Sequence, residues 1–339
     1  MRFFTRQHFP SVAAIPPIFL ALFMLALPAR ANPLLWTGGG GANVNWNNPA
    51  NWGSVGIPGN GDTLIFQGAT GLLNSNNIPN LILNQIRFLN GGFDLRGDNF
   101  TLTNSILCTN TTGVNTIECT NINLATNDIV ITVSNGVSLI IGSQLSGAVG
   151  VVKTGLGTLT YQYLLGNNIY TGTTLVAEGT LVLNVGGGSA YRGPLVIGTG
   201  SGLGNPTVKL GQDFEIPDIV PVTINFGTLD LNGYNDIIGT NLTMSGGTVQ
   251  TGIGVLMVLL DTTVTVFNTC TINGNVEFGP ISYLLNVPGG GTLNMNAAMS
   301  GGGSITKTGT GNLYFFGTNS YTGLTTVSAG WLWAETPLA

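Results

Sequence analysis

Apolar and polar residues alternate along this chain in short runs, and nearly every run is stopped by Gly or Asn. Asp62-Thr-Leu-Ile-Phe, Asn99-Phe-Thr-Leu-Thr, Asn127-Asp-Ile-Val-Ile-Thr-Val, Gly157-Thr-Leu-Thr-Tyr, Gly179-Thr-Leu-Val-Leu-Asn, Gly227-Thr-Leu-Asp-Leu and Thr262-Thr-Val-Thr-Val-Phe are of this kind. A period of two, filled by β-branched and aliphatic residues, is the pattern of a strand with one face buried, and Gly and Asn supply the turns between such strands. The Glu, Lys, Arg, Ala and Leu runs that give a helix its solvent face are missing after residue 31. The chain is predicted to be all-β. Strands spaced this evenly build a sandwich, a barrel or a solenoid.

An internal duplication selects among these. Residues 136–159 match residues 290–313 at an offset of 154, with Ser146-Gly147 on Ser300-Gly301 and Lys153-Thr154-Gly155 on Lys307-Thr308-Gly309. Three residues then drop out of the second copy. At the new offset of 151, Tyr170-Thr171-Gly172 falls on Tyr321-Thr322-Gly323, Gly179 on Gly330 and Cys119 on Cys270. A stack of coils is lengthened by adding a unit, whereas a closed barrel accepts one with difficulty. Residues 67–339 are therefore expected to form a β-solenoid with duplicated units at about 119–184 and 270–335. At roughly 25 residues per coil this gives about a dozen coils, stacked at about 4.8 Å into a rod on the order of 60 Å long. Residues 32–66 break the rhythm with Trp36, Trp46 and Trp52, three of the chain's five tryptophans. Solenoid ends need atypical repeats, so this segment is expected to be an N-terminal cap, the alternative being that its rings stack on carbohydrate.

Charged residues make up 7% of the chain, against roughly 25% in an average protein, so solubility must come from Asn, Thr, Ser and exposed backbone. With 43% hydrophobic residues the chain is not disordered. Arg2 and Arg6, the apolar stretch Ala13–Leu27 and the small-residue site Ala29-Arg30-Ala31 read as a signal peptide, residues 1–31, cut after Ala31. Its apolar run is shorter than the roughly 20 residues of a membrane span. No transmembrane segment is predicted in the mature chain. Cleavage leaves six basic and 14 acidic residues, a net charge of −8. That balance speaks against nucleic acid and anionic membranes as partners, since both require clustered Lys and Arg. Cys108, Cys119 and Cys270 are an odd set for an exported protein; Cys108 and Cys119 either pair or, like Cys270, are buried small hydrophobes.

Lys153-Thr-Gly-x-Gly-Thr-Leu-Thr, continuing through Asn168-x-Tyr170-Thr-Gly-x-Thr to Gly179-Thr-Leu-Val-Leu, resembles the autotransporter-associated β-strand repeat. The second copy, from Lys307-Thr-Gly through Asn319-Ser-Tyr321-Thr-Gly to Gly330, is closer still, and the two repeats span residues 151–184 and 305–335. The resemblance implies a right-handed parallel β-helix, displayed on or released from a Gram-negative-type cell. Roles such as adhesion to host or neighbouring-cell surface glycans or proteins follow from it. It brings no catalytic residues and no cofactor; Lys153, Gly155, Tyr170, Gly172, Gly179, Lys307, Gly309, Tyr321, Gly323 and Gly330 are its structural positions. Autotransporters end in a membrane barrel built from strands of roughly 9–11 residues. Nothing after Gly330 has room for one, so a truncated gene, a fragment or another export route is expected.

Chemistry is sparse. The one histidine, His8, falls in the leader, so a mature chain has no Ser-His-Asp triad, no Cys-His pair and no histidine metal site. The remaining enzymatic reading is a polysaccharide lyase or glycosidase using carboxylates. Asp213 and Glu215 would share one strand face, with Lys209 before them and Asp218 after, and Asp94 and Asp98 flank Arg96. Such isolated charges fit solvated turns at least as well. Gly198-Thr-Gly-Ser-Gly-Leu-Gly lacks the Lys-Ser/Thr and the helix of a phosphate loop and reads as a turn. A structural, non-enzymatic protein is the expectation.

Overall fold

The computed structural model describes residues 33–163, 165–259 and 263–335, which form a parallel β-solenoid of about a dozen coils. The expected leader, residues 1–31, lies outside the described residues. Strands fall in two sheets of 16 and 15, each coil contributing to both, and neighbouring strands pair in parallel. The only helical element among the described residues is a single 3-10 turn, Pro49–Trp52. No helix among them is long and apolar enough to cross a membrane.

Register is held while coil length varies. Ile86 lies on Ile106, 20 residues on, whereas Ile197 lies on Ile224, 27 residues on. The insertions are absorbed by turns. Because side chains alternate across each strand and coils superpose in register, inward residues form continuous columns. One column runs Leu64, Ile86, Ile106, Ile131, then past position 153 to Val176, Ile197, Ile224 and Met244, all of them buried. Each such side chain contributes about 1.5–3 kcal/mol on leaving water. The outward positions carry Thr and Asn that bond along the stack, as Thr132 Oγ1 to Thr154 Oγ1 at 2.7 Å and Asn296 Nδ2 to Asn273 Oδ1 at 2.9 Å. This polar outer ladder is what allows so few charges.

Some strands continue round a corner and start a third, narrower face. Phe100–Cys108 pairs with both Asn121–Leu124 and Ile129–Val133, and Asn121–Leu124 pairs with Gln144–Gly147. The same face returns later. Gly247–Val258 shifts register between Gln250 and Val255 and pairs there with Asp236–Ile238, and Thr269–Phe278 pairs with Ala298–Gly301. Between Gly147 and Asp236 the third face has no regular strand among the described residues, and loops occupy it.

At the start of the described stack, Trp36, Trp46 and Trp52 are buried around Phe66, with Trp36 and Trp52 edge to face at 5.0 Å. Each indole N–H has a partner: Trp36 donates to the Gly71 carbonyl, Trp52 to the Trp46 carbonyl and Trp46 to Asn74 Oδ1. Asn51, itself buried, ties the turn by donating to the carbonyls of Asn43 and Asn45 at 2.7 and 2.9 Å. With all three rings buried, no sugar can stack on them. The alternative carbohydrate role for these rings is thereby corrected.

The three cysteines are free and buried. Cys108 belongs to the first sheet and Cys119 to the second, so the pairing expected as one option does not form. Burial pushes both thiols up to about 12, which leaves them inert as nucleophiles.

Trp46→Ala should cost about 3–5 kcal/mol of unfolding free energy, as expected for deleting a fully buried ring. Trp333→Ala, at an exposed outward position, should cost under about 1 kcal/mol. Denaturant unfolding of both variants measures the contrast.

Candidate functional site

Position 153 interrupts an aliphatic column with a lysine, which lies on Ile131 of the coil before and Val176 of the coil after and is fully buried. A buried ammonium must find acceptors. It finds them where the strand ends and backbone carbonyls leave the ladder: Nζ donates to the carbonyls of Thr154 (3.0 Å), Gly155 (2.6 Å) and Glu178 (3.0 Å). Two of these belong to its own coil and the third to the next, so one side chain fastens two successive corners. The Glu178 carboxylate closes the same corner by accepting from the Gly155 N–H at 2.8 Å. Burial pulls the Lys153 ammonium down to about 8, with the Glu178 charge opposing the shift.

Lys307 repeats the arrangement in the second copy. It lies on Leu285 and Val327 and donates to the carbonyls of Thr308 (2.7 Å), Gly309 (2.7 Å) and Ala329 (3.1 Å). Its ammonium is lowered by burial as well. Ala329 stands where the first copy has Glu178, so the carboxylate is not part of the repeated element. The lysine and its three carbonyls are.

The other repeat positions surround this staple. Gly155 and Gly309 both sit at φ +72°, where the chain turns off the strand over a carbonyl of the previous coil. At Gly330 an added Cβ would meet the Gly311 carbonyl oxygen at 2.4 Å and Lys307 Nζ at 2.8 Å, and Gly179 abuts the Gly155 oxygen at 2.4 Å. Gly172 and Gly323 press directly on the backbone of the coil below, at 2.1 Å from the Gly150 nitrogen and the Gly303 oxygen for a built Cβ. Tyr170 and Tyr321 are buried at the opposite corner, each hydroxyl bonded to the threonine four residues on, Thr174 and Thr325. The Tyr-Thr-Gly-x-Thr spacing thus places a phenol and its partner in one coil.

A second group of buried polar side chains lies where the third face loses its strands. Asn168 Oδ1 accepts from the Leu145 N–H at 2.8 Å, and its Nδ2 donates to the Ala190 carbonyl at 3.0 Å. One coil further, the Ala190 N–H donates to the Glu215 carbonyl, and the Glu215 N–H donates to Asp236 Oδ2 at 3.1 Å. Glu215 Oε1 accepts from the Val185 N–H at 2.6 Å, while among the described residues Oε2 and the nearby buried Tyr191 hydroxyl have no hydrogen-bond partner. Burial pushes both carboxyls up to about 7, Glu215 with help from the Asp236 charge and Asp236 with help from Asp218.

The residues of the expected carboxylate chemistry do not converge. Gly211 to Pro221 is a loop, not a strand, with Phe214 at φ +60°, so the period of two fails there: Asp213 is exposed and Glu215 buried. Lys209 lies on the second sheet, 3.9 Å from Asp230. Arg96 forms an exposed ion-pair cluster with Asp94 at 2.7 Å and Glu118 at 3.3 Å. Gly198 to Gly204 joins strands Leu195–Ile197 and Thr207–Leu210 with no helix following. Among the described residues, no three His, Cys, Asp or Glu side chains group as metal ligands.

Residues 151–183 and 305–334 match the family described as passenger-associated-transport-repeat. The chain thus carries two copies of an autotransporter-passenger repeat, each beginning within two residues of its buried lysine. Searches of curated proteins and of solved structures find no match.

Lys153→Met keeps the volume of the column but leaves three carbonyls without their ammonium, and should lower stability by about 2–3 kcal/mol in equilibrium unfolding. Glu215 and Asp236 give a pH dependence of definite sign. Both are raised in the folded chain, so folding takes up protons between about pH 4 and 7; their stabilisation is complete below that window and is lost as pH rises through about 7. The thermal midpoint followed by circular dichroism should be higher at pH 5.5 than at pH 7.5. The double variant Glu215→Gln, Asp236→Asn should remove the difference.

Proposed function

We propose that this chain is an exported, non-enzymatic β-solenoid of the autotransporter-passenger kind, a rigid rod at the cell surface or outside the cell with a structural or adhesive role. The observation that carries the reading is that both passenger repeats coincide with the buried-lysine corners. The repeat lysines, glycines and tyrosines named above touch the backbone of an adjacent coil or fill the core. The repeat is an instrument of stacking. Function then belongs to the outer surfaces and loops, where sequence is free to vary without disturbing the columns.

The remaining parts fit the same reading. Residues 1–31 act as a removable leader, residues 32–66 cap the stack with their buried indoles, and the coil is right-handed, as parallel β crossovers almost always are. Partners are surface glycans or proteins of a host or neighbouring cell, met through Asn, Thr and aromatic side chains. The low positive charge disfavours nucleic acid.

Protease treatment of intact cells producing the full chain should remove it, and mass spectrometry of the released protein should find Asn32 at its amino terminus. A protease-protected chain that retains Met1 would refute export.

A further inference from the structure

The third face of the solenoid lapses into loops over three successive coils, and a cleft of about 550 Å³ opens there. The volume is in the range of small-molecule sites. Its walls come from one loop of each coil. Asn167 and Thr171 belong to the first, Ser189 and Arg192 to the second, Asp218 to the third, where Pro217 and Ile219 add an apolar strip.

Two features separate this cleft from the other surface depressions. Arg192 is exposed and has no carboxylate partner, although Asp218 lines the same cleft; among the described residues the two form no ion pair. The other cations near carboxylates behave differently: Arg96 is held by Asp94 and Glu118, and Lys209 approaches Asp230. The loops are also fixed beneath the cleft. Asn167 Oδ1 accepts from the Ser189 N–H at 2.8 Å, the Arg192 N–H donates to the Tyr170 carbonyl at 3.2 Å, and the buried Asn168, Ala190, Glu215 and Asp236 chain links all three coils.

We infer that this cleft binds a sugar residue bearing a single carboxylate, at the end of an otherwise neutral glycan. The guanidinium offers a planar fork for one carboxylate. A second carboxylate would meet Asp218 and the negative field of the chain. Asp218, Asn167, Ser189 and Thr171 supply the acceptors and donors that ring hydroxyls need, and the exposed Ile219 gives the C–H face of a pyranose a surface to lie on. A polyanion such as nucleic acid would need several cations, and the cleft has one.

The assignment rests on the adhesive reading above and names its ligand class. The test is calorimetric titration of the full mature chain, residues 32–339, with sialyllactose, glucuronate-, galacturonate- and mannuronate-terminated trisaccharides, their methyl esters, and lactose. At least one free acid should bind, with its methyl ester and lactose weaker by about tenfold or more, the effect of losing one charge-assisted pair. Arg192→Gln should weaken binding of that acid by a similar factor, and Arg192→Lys should restore part of it. The thermal midpoints should stay unchanged, because Arg192 is exposed. Binding of no acid at millimolar concentration, equal binding of the ester, or binding unaffected by Arg192→Gln would overturn the inference. Any of these in a chain found at the cell surface sinks the cleft alone; a chain confined inside the cell sinks the adhesive reading whatever the cleft binds.

Discussion

Every coil of this protein satisfies its backbone with the coils before and after it, and that parallel ladder governs the rest. Once coils are in register, a side chain cannot be chosen for its own coil only. It stands in a column, and its neighbours in that column lie one strand spacing away, about 4.8 Å. Aliphatic residues solve this over most of the inner surface, and Thr and Asn bonding along the stack solve it outside. The ladder also explains the tolerance of length. A coil may gain or lose residues at a corner, as between Ile197 and Ile224, provided the strands return to register.

Corners are where the ladder fails to satisfy the chain. Carbonyls there point away from any strand partner while still lying close to the core, and an orphaned buried carbonyl is costly. The passenger repeat answers with a cation placed inside the column, its stem packed as an aliphatic chain and its ammonium shared by three carbonyls of two coils. On the third face the complementary groups are served: Asn168, Glu215 and Asp236 accept from backbone N–H groups that leave the ladder, and Asn168 also donates to the Ala190 carbonyl. There the solution is less complete, since among the described residues Glu215 Oε2 and the Tyr191 hydroxyl lack partners, and the same stretch carries the cleft of about 550 Å³. Loss of regular pairing and gain of an outward site occur at one place.

Much of the architecture was legible in the chain. Alternation in Asp62–Phe66, Asn127–Val133 and Gly179–Leu183 marked strands, and the offset between Lys153 and Lys307 marked repetition, because both follow from the period of two and from stacking. What the lysine does was not legible: nothing in a local pattern says that a charged residue points inward, since its burial also rests on a third carbonyl, that of Glu178, from a coil more than 20 residues away. Asp213 and Glu215 misled for a related reason. Spacing of two implies one face only on a strand, and Phe214 in the left-handed region breaks the alternation. The tryptophans announced an atypical end, but only the structure shows their N–H groups satisfied inside it. The cleft could not be found from sequence, because its polar residues come from three loops and share no motif.

The central claim is that the repeat lysines are interior fasteners and not surface charges, and the chain offers a direct measurement because it holds only Lys153, Lys209 and Lys307. Acylation of the native protein with an amine-reactive ester, mapped by peptide mass, should modify Lys209 and leave Lys153 and Lys307 untouched until the chain is unfolded. Equal reaction of all three lysines in the native state would contradict the account.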